Sequence, residues 1–311
     1  MFFEIGLLMV THLLIPATFL IWLWQSKFPS QLNWSIALLT VATYSVHIFL
    51  IGRWDWLSYY LRFLLPILFF IVAFHSFSKA KSLPLYPPQK FRNYLDLGIS
   101  ALVTIFFLAS LKSHIPQGYL FSGESVELAF PLKNGTYYAA HGGDSPTINH
   151  HNSNRAQRYA LDIMKLNVLG AKANGLYPPS LTDYAIFEEK LYSPCDGTIA
   201  DLTNDLPDLA LEKSDRKNPA GNHILLRCKG SDILMAHLLK GSITGQVGLL
   251  VKSGDAIAKI GNSGNTSEPH LHIHARKINT GKSILDGDGM PITFDDKFLT
   301  RNSIVTNQHS G

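Results

Sequence analysis

Gly261-Asn262-Ser263-Gly264-Asn265-Thr266-Ser267-Glu268-Pro269-His270-Leu271-His272-Ile273-His274 is the stretch from which the rest of the chain is best read. A Gly-rich turn leads into alternating residues, and in a strand residues two apart share a face. His270, His272 and His274 are therefore predicted to project together, and three imidazoles on one face are costly to hide in a core. Further candidates lie upstream: His237 within Met235-Ala236-His237-Leu238, Asp162 at the end of Arg158-Tyr159-Ala160-Leu161-Asp162, and the pair His150-His151. Histidines with one carboxylate and no thiolate pair suit a catalytic zinc that keeps an open coordination position. Cys195 and Cys228 are too few and too far apart in sequence for a Cys-rich metal site.

Working outward, the segments around this stretch read as short strands separated by Gly, Asn and Asp. Val126–Leu132 and Tyr137–Ala140 are predicted strands split by the turn Lys133-Asn134-Gly135. Tyr159–Met164, Gly197–Ala200, His223–Cys228, Ile233–Leu238, Ala256–Ile260 and His270–Ala275 follow. Helical periodicity is nearly absent from Gly123 onward. The expectation is a mostly antiparallel β domain of about 190 residues, large enough to bury its own core. Two polar insertions, Asn167–Glu189 and Leu202–Asn222, exceed hairpin length, and long loops on a β scaffold often line a site.

The first part of the chain follows another pattern. A bilayer-spanning helix needs ~20 mostly apolar residues, and four stretches qualify: Phe2–Trp24, Trp34–Ile51, Trp56–Phe74 and, the shortest, about Leu95–Leu111. Trp22 and Trp24 suit an interfacial belt. Arg62 must snorkel or face a neighbouring helix, and Pro66 is tolerated in a membrane helix. These runs lack the polar faces of a soluble bundle. No basic residues precede the first run and no small-residue cleavage site follows it, which argues against a signal peptide. Lys79, Lys81, Lys90 and Arg92 mark the third connection as cytoplasmic, so everything after Lys112 is expected outside, in the periplasm or beyond the cell. The predicted division is a membrane domain at 1–112 in the lipid bilayer and a soluble domain at 113–311. A net charge of +4 with no basic stripe interleaved with aromatics does not point to nucleic acid.

Five ordered motifs carry a family likeness: Ser193-Pro194-Cys195-Asp196-Gly197-Thr198-Ile199, Gly221-Asn222-His223-Ile224, Ala236-His237-Leu238, Val251 through Gly261, and Pro269-His270-Leu271-His272. In order and spacing they resemble the lysostaphin-type (LytM-like) zinc endopeptidases, over a core of about 130–277. The resemblance implies a duplicated hybrid motif fold and hydrolysis of peptide bonds in peptidoglycan stems or cross-bridges. It implies one Zn2+ per chain, with Asp162 and His272 as ligands and His237 and His270 as the catalytic pair that does not ligate. Residue spacing alone does not separate ligand from base. His274, one pleat further on, is expected either to support the ligands from behind or to be structural.

The chain departs from the family pattern at one position. The family commonly carries a His four residues before the Asp, where this chain has Arg158, a permanently charged side chain that cannot ligate. His150 and His151 lie close enough to return to the same site; His151 is taken as the metal ligand, with His150 as the alternative. Arg158 and Asn265 are expected to bind substrate; the Arg158 charge, at the edge of the site, would bind a substrate carboxylate or else pair with an acidic side chain. The rival expectations are an inactive LytM-like module that binds peptidoglycan or a partner, and a peptidase that processes a secreted peptide.

Overall fold

A computed structural model describes residues 2–176, 178–278 and 283–307, with the side chains of Phe2 and of 113–117 left aside. The chain divides into two compact units, Met1–Trp54 with Tyr60–Ile115, and Asp55–Tyr59 with Pro116–Gly311.

The first unit is helical. Helix α1 (Phe2–Met9) runs through a π-turn at Val10–Leu14 into α2 (Ile15–Gln25), followed by α3 (Gln31–Ile51), α4 (Leu61–Ala80) and α5 (Phe91–Gly118). Among the described residues, four helical segments are long and apolar enough to cross a membrane, as expected: Phe3–Gln25, Gln31–Ile51, Leu61–Ala80 and Phe91–Lys112. Ser30 caps α3 by accepting the Asn33 amide. Helix α4 starts later than the third apolar run suggested: Asp55, Trp56 and Leu57 form a turn before it. Arg62 resolves its charge inward, donating from Nε to the Phe49 carbonyl at 2.8 Å while its guanidinium lies 4.0 Å from the Phe49 ring centroid.

The second unit is built on one antiparallel sheet. Its strands are β1 (Gly135–His141), β2 (Leu161–Leu166), β3 (Gly197–Thr203), β4 (Asn222–Cys228), β5 (Ser231–Leu238), β6 (Leu250–Val251), β7 (Leu271–Lys277), β8 (Gly289–Met290) and β9 (Ile304–Asn307). They lie in the order β9-β1-β2-β7-β5-β4-β3-β6, with β8 beside β7. One face packs a core that includes Leu161, Ile163, Ile199, Ile224, Leu226, Ile233, Met235, Leu271 and Ile273. Cys195 and Cys228, 6.2 Å apart at Cα, form a disulfide beside this core.

The predicted strands recur with small changes in their ends. Val126–Leu132 is the exception: only Val126–Glu127 is a strand, pairing parallel to Ile292–Phe294. Beyond it the ladder gives way to single bonds, Ala129 N–H to the Pro194 carbonyl and Tyr192 N–H to the Pro131 carbonyl. Pro131 has no N–H with which to continue a ladder. The C-terminal strand β9, which closes the sheet edge against β1, had no clear signature in the sequence.

Candidate active site

Strand β7 is central, and register decides what meets there. His272 pairs with Asp162 of β2 on one side and with Ala236 of β5 on the other. Alternation sends Leu271, Ile273 and Ala275 into the core, leaving His270, His272 and His274 on the opposite face. All three are buried.

His237 reaches the same face by an irregularity. Ala236 already faces the site as the partner of His272, so a regular strand would send His237 into the core. Pairing with β4 instead shifts between Asn222/Leu238 and Ile224/Met235, inserting one extra residue in β5. His237 takes the left-handed conformation, φ 63°, at this bulge. Met235 and Leu238 then both lie in the core while Ala236 and His237 both line the site. The ring is held by its Nδ1–H, which donates to the Ser263 carbonyl at 2.9 Å. That carbonyl comes near only because Gly221 and Gly264 touch backbone to backbone: a Cβ on Gly221 would sit 2.3 Å from Ser263 O, and one on Gly264 would sit 2.4 Å from Gly221 N.

Asp162 is the hub. Its Oδ1 lies 3.0 Å from His272 Nδ1 and 3.0 Å from His151 Nε2, and 3.5 Å from His270 Nε2. One donor atom each from His151, Asp162 and His272 falls within 4.8 Å of the others. His151 sits in a 3-10 turn, His150–Ser153, whose N-cap Asn149 accepts the His151 amide and donates to the carbonyls of Gly143, Arg158 and Ala160. A second grouping, His141, His150 and Asp162, shares the same carboxylate. There, an Arg301 guanidinium N–H donates to His141 Nδ1 at 3.0 Å. A neutral His141 ring must then carry its proton on Nε2, which removes that nitrogen from ligation.

The electrostatics follow from burial around one anion. Burial alone would raise Asp162, but the His151 and His270 rings and their hydrogen bonds overcome it and hold the carboxyl well below its usual range. Burial pushes His272 down to about 4, helped by His151. Burial, with the neighbouring His270 and His272, holds His237 well below the ordinary imidazole value. His270 goes the other way: burial opposes its charge, yet Asp162 and the bond to the Glu268 carbonyl raise it. His272 Nε2 lies 2.9 Å from His274 Nδ1. If His272 donates there, its Nδ1 keeps a lone pair toward Asp162, and His274 Nε2 is left buried without a hydrogen-bond partner.

A cavity of about 430 Å³ opens over these groups, lined among others by His150, His151, His237, His272 and Asn265. Asn265, expected to bind substrate, lines this cavity. Arg158 is not among the lining residues. Its Nε and Nη2 donate to the two oxygens of Asp144 at 2.6 and 3.0 Å, and Asn152 donates to the same carboxylate. It braces the turn that carries His151. The sequence reading did not find His141 with Arg301, or the buried pair Lys172–Glu268.

Residues 182–285 match the family described as Peptidase family M23; this span contains His237, His270 and His272 and begins after His151 and Asp162. Among solved structures, the chain is similar to a zinc-containing peptidase from Vibrio cholerae (19% identity, 52% of this chain, 41% of that one, TM-score 0.30). It is also similar to LytU (24%, 32% and 61%, 0.24) and to lysostaphin from Staphylococcus simulans (16%, 49% and 44%, 0.27). The chain spans less than two thirds of the length of each. A search of curated proteins finds no match.

Proposed function

We propose that this chain, whose residues 182–285 are a peptidase family M23 domain, is a membrane-anchored zinc endopeptidase acting on peptidoglycan stem or cross-bridge peptides. The observation that carries the reading is the convergence of His151, Asp162 and His272 on one point, with His237 and His270 beside it.

The donor set fits zinc. Two imidazoles and a carboxylate are a catalytic rather than a structural combination, and the contact between His272 and His274 suits a ligand whose far nitrogen is held by a second ring. His151, Asp162 and His272 would hold the ion, which when bound polarises the scissile carbonyl and acidifies a water. The chain's own groups do the rest. His237, anchored through Nδ1–H, presents Nε2 as the proton acceptor and can return that proton to the leaving amine. His270, favoured in its doubly protonated form by Asp162, donates from Nδ1–H to the Glu268 carbonyl and keeps Nε2–H to donate to the developing oxyanion. Asn265 contributes a polar contact to the peptide along the cavity.

The basic connection between α4 and α5 favours a catalytic unit outside the cytoplasm. The division of the chain supports the same topology. Asp55–Tyr59, between α3 and α4, belongs to the same unit as Pro116–Gly311, and two crossings, α4 and α5, return the chain to one side.

An inactive binding module would keep the fold and lose the chemistry. The presence of His237, His270 and His272 in one site speaks against it. The deciding experiment measures zinc in the detergent-solubilised full chain and then analyses isolated cell walls digested with it. Stoichiometric zinc and newly released peptide amino groups are expected. A chain that binds no zinc and releases nothing would leave only the binding-module reading.

A further inference from the structure

We infer that Lys172 is a positioning residue for His270, and that the connection between α3 and α4 completes the peptidase unit by holding Lys172 in place. This rests on the peptidase reading for its catalytic consequence, though not for its structural one.

Lys172 lies in the first of the long insertions and is buried, as are Asp55 and Glu268. Its ammonium pairs with the Glu268 carboxylate, stands 3.9 Å from Asp55 Oδ2 and lies 3.5 Å from the centroid of the Trp56 ring. A buried ammonium needs this density of partners, because burial strips it of water. The backbone adds further ties: Lys172 N–H donates to the Asp55 carbonyl, Tyr59 N–H to the Gly170 carbonyl, and the Ser58 hydroxyl to the Leu169 carbonyl. Tyr59 also packs on the cluster of Tyr138, Ala140, Met164 and Leu166. Residues 55–59 are thereby part of the β unit although the sequence puts them between two apolar helices.

Glu268 is the link to chemistry. Its carboxylate is held by Lys172, while its carbonyl accepts from His270 Nδ1–H at 2.9 Å and from the Thr266 hydroxyl at 2.7 Å. The carbonyl anchors Nδ1–H and thereby sets the ring orientation that turns Nε2 toward Asp162. Pro269 leaves this two-residue link little freedom. Without the ammonium, the buried Glu268 carboxylate would lose the cation paired with it. The turn would move to relieve it and take the carbonyl with it.

The experiment uses the full chain in detergent with four variants: Lys172→Met, Lys172→Arg, Glu268→Gln and Trp56→Leu. Backbone hydrogen exchange is followed by mass spectrometry, together with zinc content and cell-wall peptide release. In Lys172→Met and Glu268→Gln, exchange should rise in the peptide 262–274 and not in β4, and kcat should fall about 10²-fold, the cost of a small misplacement. KM and zinc content should stay near the parent's. Lys172→Arg should recover most of both signals, and Trp56→Leu should reproduce the Lys172→Met pattern in weaker form. Unchanged exchange at 262–274 in Lys172→Met would overturn the inference, as would exchange rising throughout the unit, which would mean that Lys172 only stabilises it. A parent chain without zinc or cleavage would defeat the peptidase reading, and the exchange data would still decide the role of Lys172.

Discussion

Replacing His151 by Ala is the sharpest test of the proposed metal centre, because it removes the one proposed ligand that does not lie on a strand. In the parent, His151 Nε2 is 3.0 Å from both oxygens of Asp162, and its ring centroid is 4.6 Å from that of His272. The variant leaves two protein donors. Loss of a group that only supports a ligand typically costs 10–100-fold in metal affinity, so loss of the ligand itself should exceed about 100-fold, or about 3 kcal/mol. The neighbouring His150 does not replace it. Its ring stands 4.2 Å from that of His141, in the group where Arg301 dictates the tautomer. Arg158→Ala provides the contrast. Its ion pair with Asp144 is half exposed, a setting in which such pairs contribute roughly 0–1 kcal/mol, so zinc affinity should change less than about 10-fold. The assay is competition for zinc against a chromophoric chelator, with His150→Ala beside the other two. If His151→Ala holds zinc as tightly as the parent and His150→Ala releases it, the assignment and the tautomer argument behind it both fail.

Three further outcomes are expected. His237→Ala should lower kcat about 10²–10⁴-fold while equilibrium dialysis shows zinc retained; zinc loss would make His237 a ligand. Stability should fall as pH drops from 7 toward 4. Unfolded histidine takes up a proton near 6.5 and folded His272 only near about 4, so in that window the unfolded chain holds more protons and folding weakens. The His272 contribution is about 3 kcal/mol, and a calorimetric midpoint that does not decline across this range would contradict it. On the proposed topology, which puts the catalytic unit outside the cytoplasm, a reporter fused after Gly311 should work only when exported. There, changing Cys195 and Cys228 to Ala should cost about 3–4 kcal/mol, the value for closing a loop of the 33-residue separation.

The sequence by itself determined the division into apolar helices and an alternating β region, because both depend on local periodicity against a known solvent. It also placed His270, His272 and His274 on one face, a direct consequence of the two-residue strand repeat, and their register later set Asp162 opposite His272. Tertiary structure alone decided the rest. That His237 joins them depends on a one-residue bulge and a left-handed backbone, neither of which has a signature in Met235-Ala236-His237-Leu238. The proposal of His151 over His150 as a ligand rests on Arg301, about 150 residues away, because a hydrogen bond at one ring nitrogen governs the other. The fate of Arg158 depends on Asp144. Trp56, read as the start of an apolar helix, lies instead against a buried lysine. An aromatic ring serves a lipid boundary and a cation equally well, and only the fold determines which it meets.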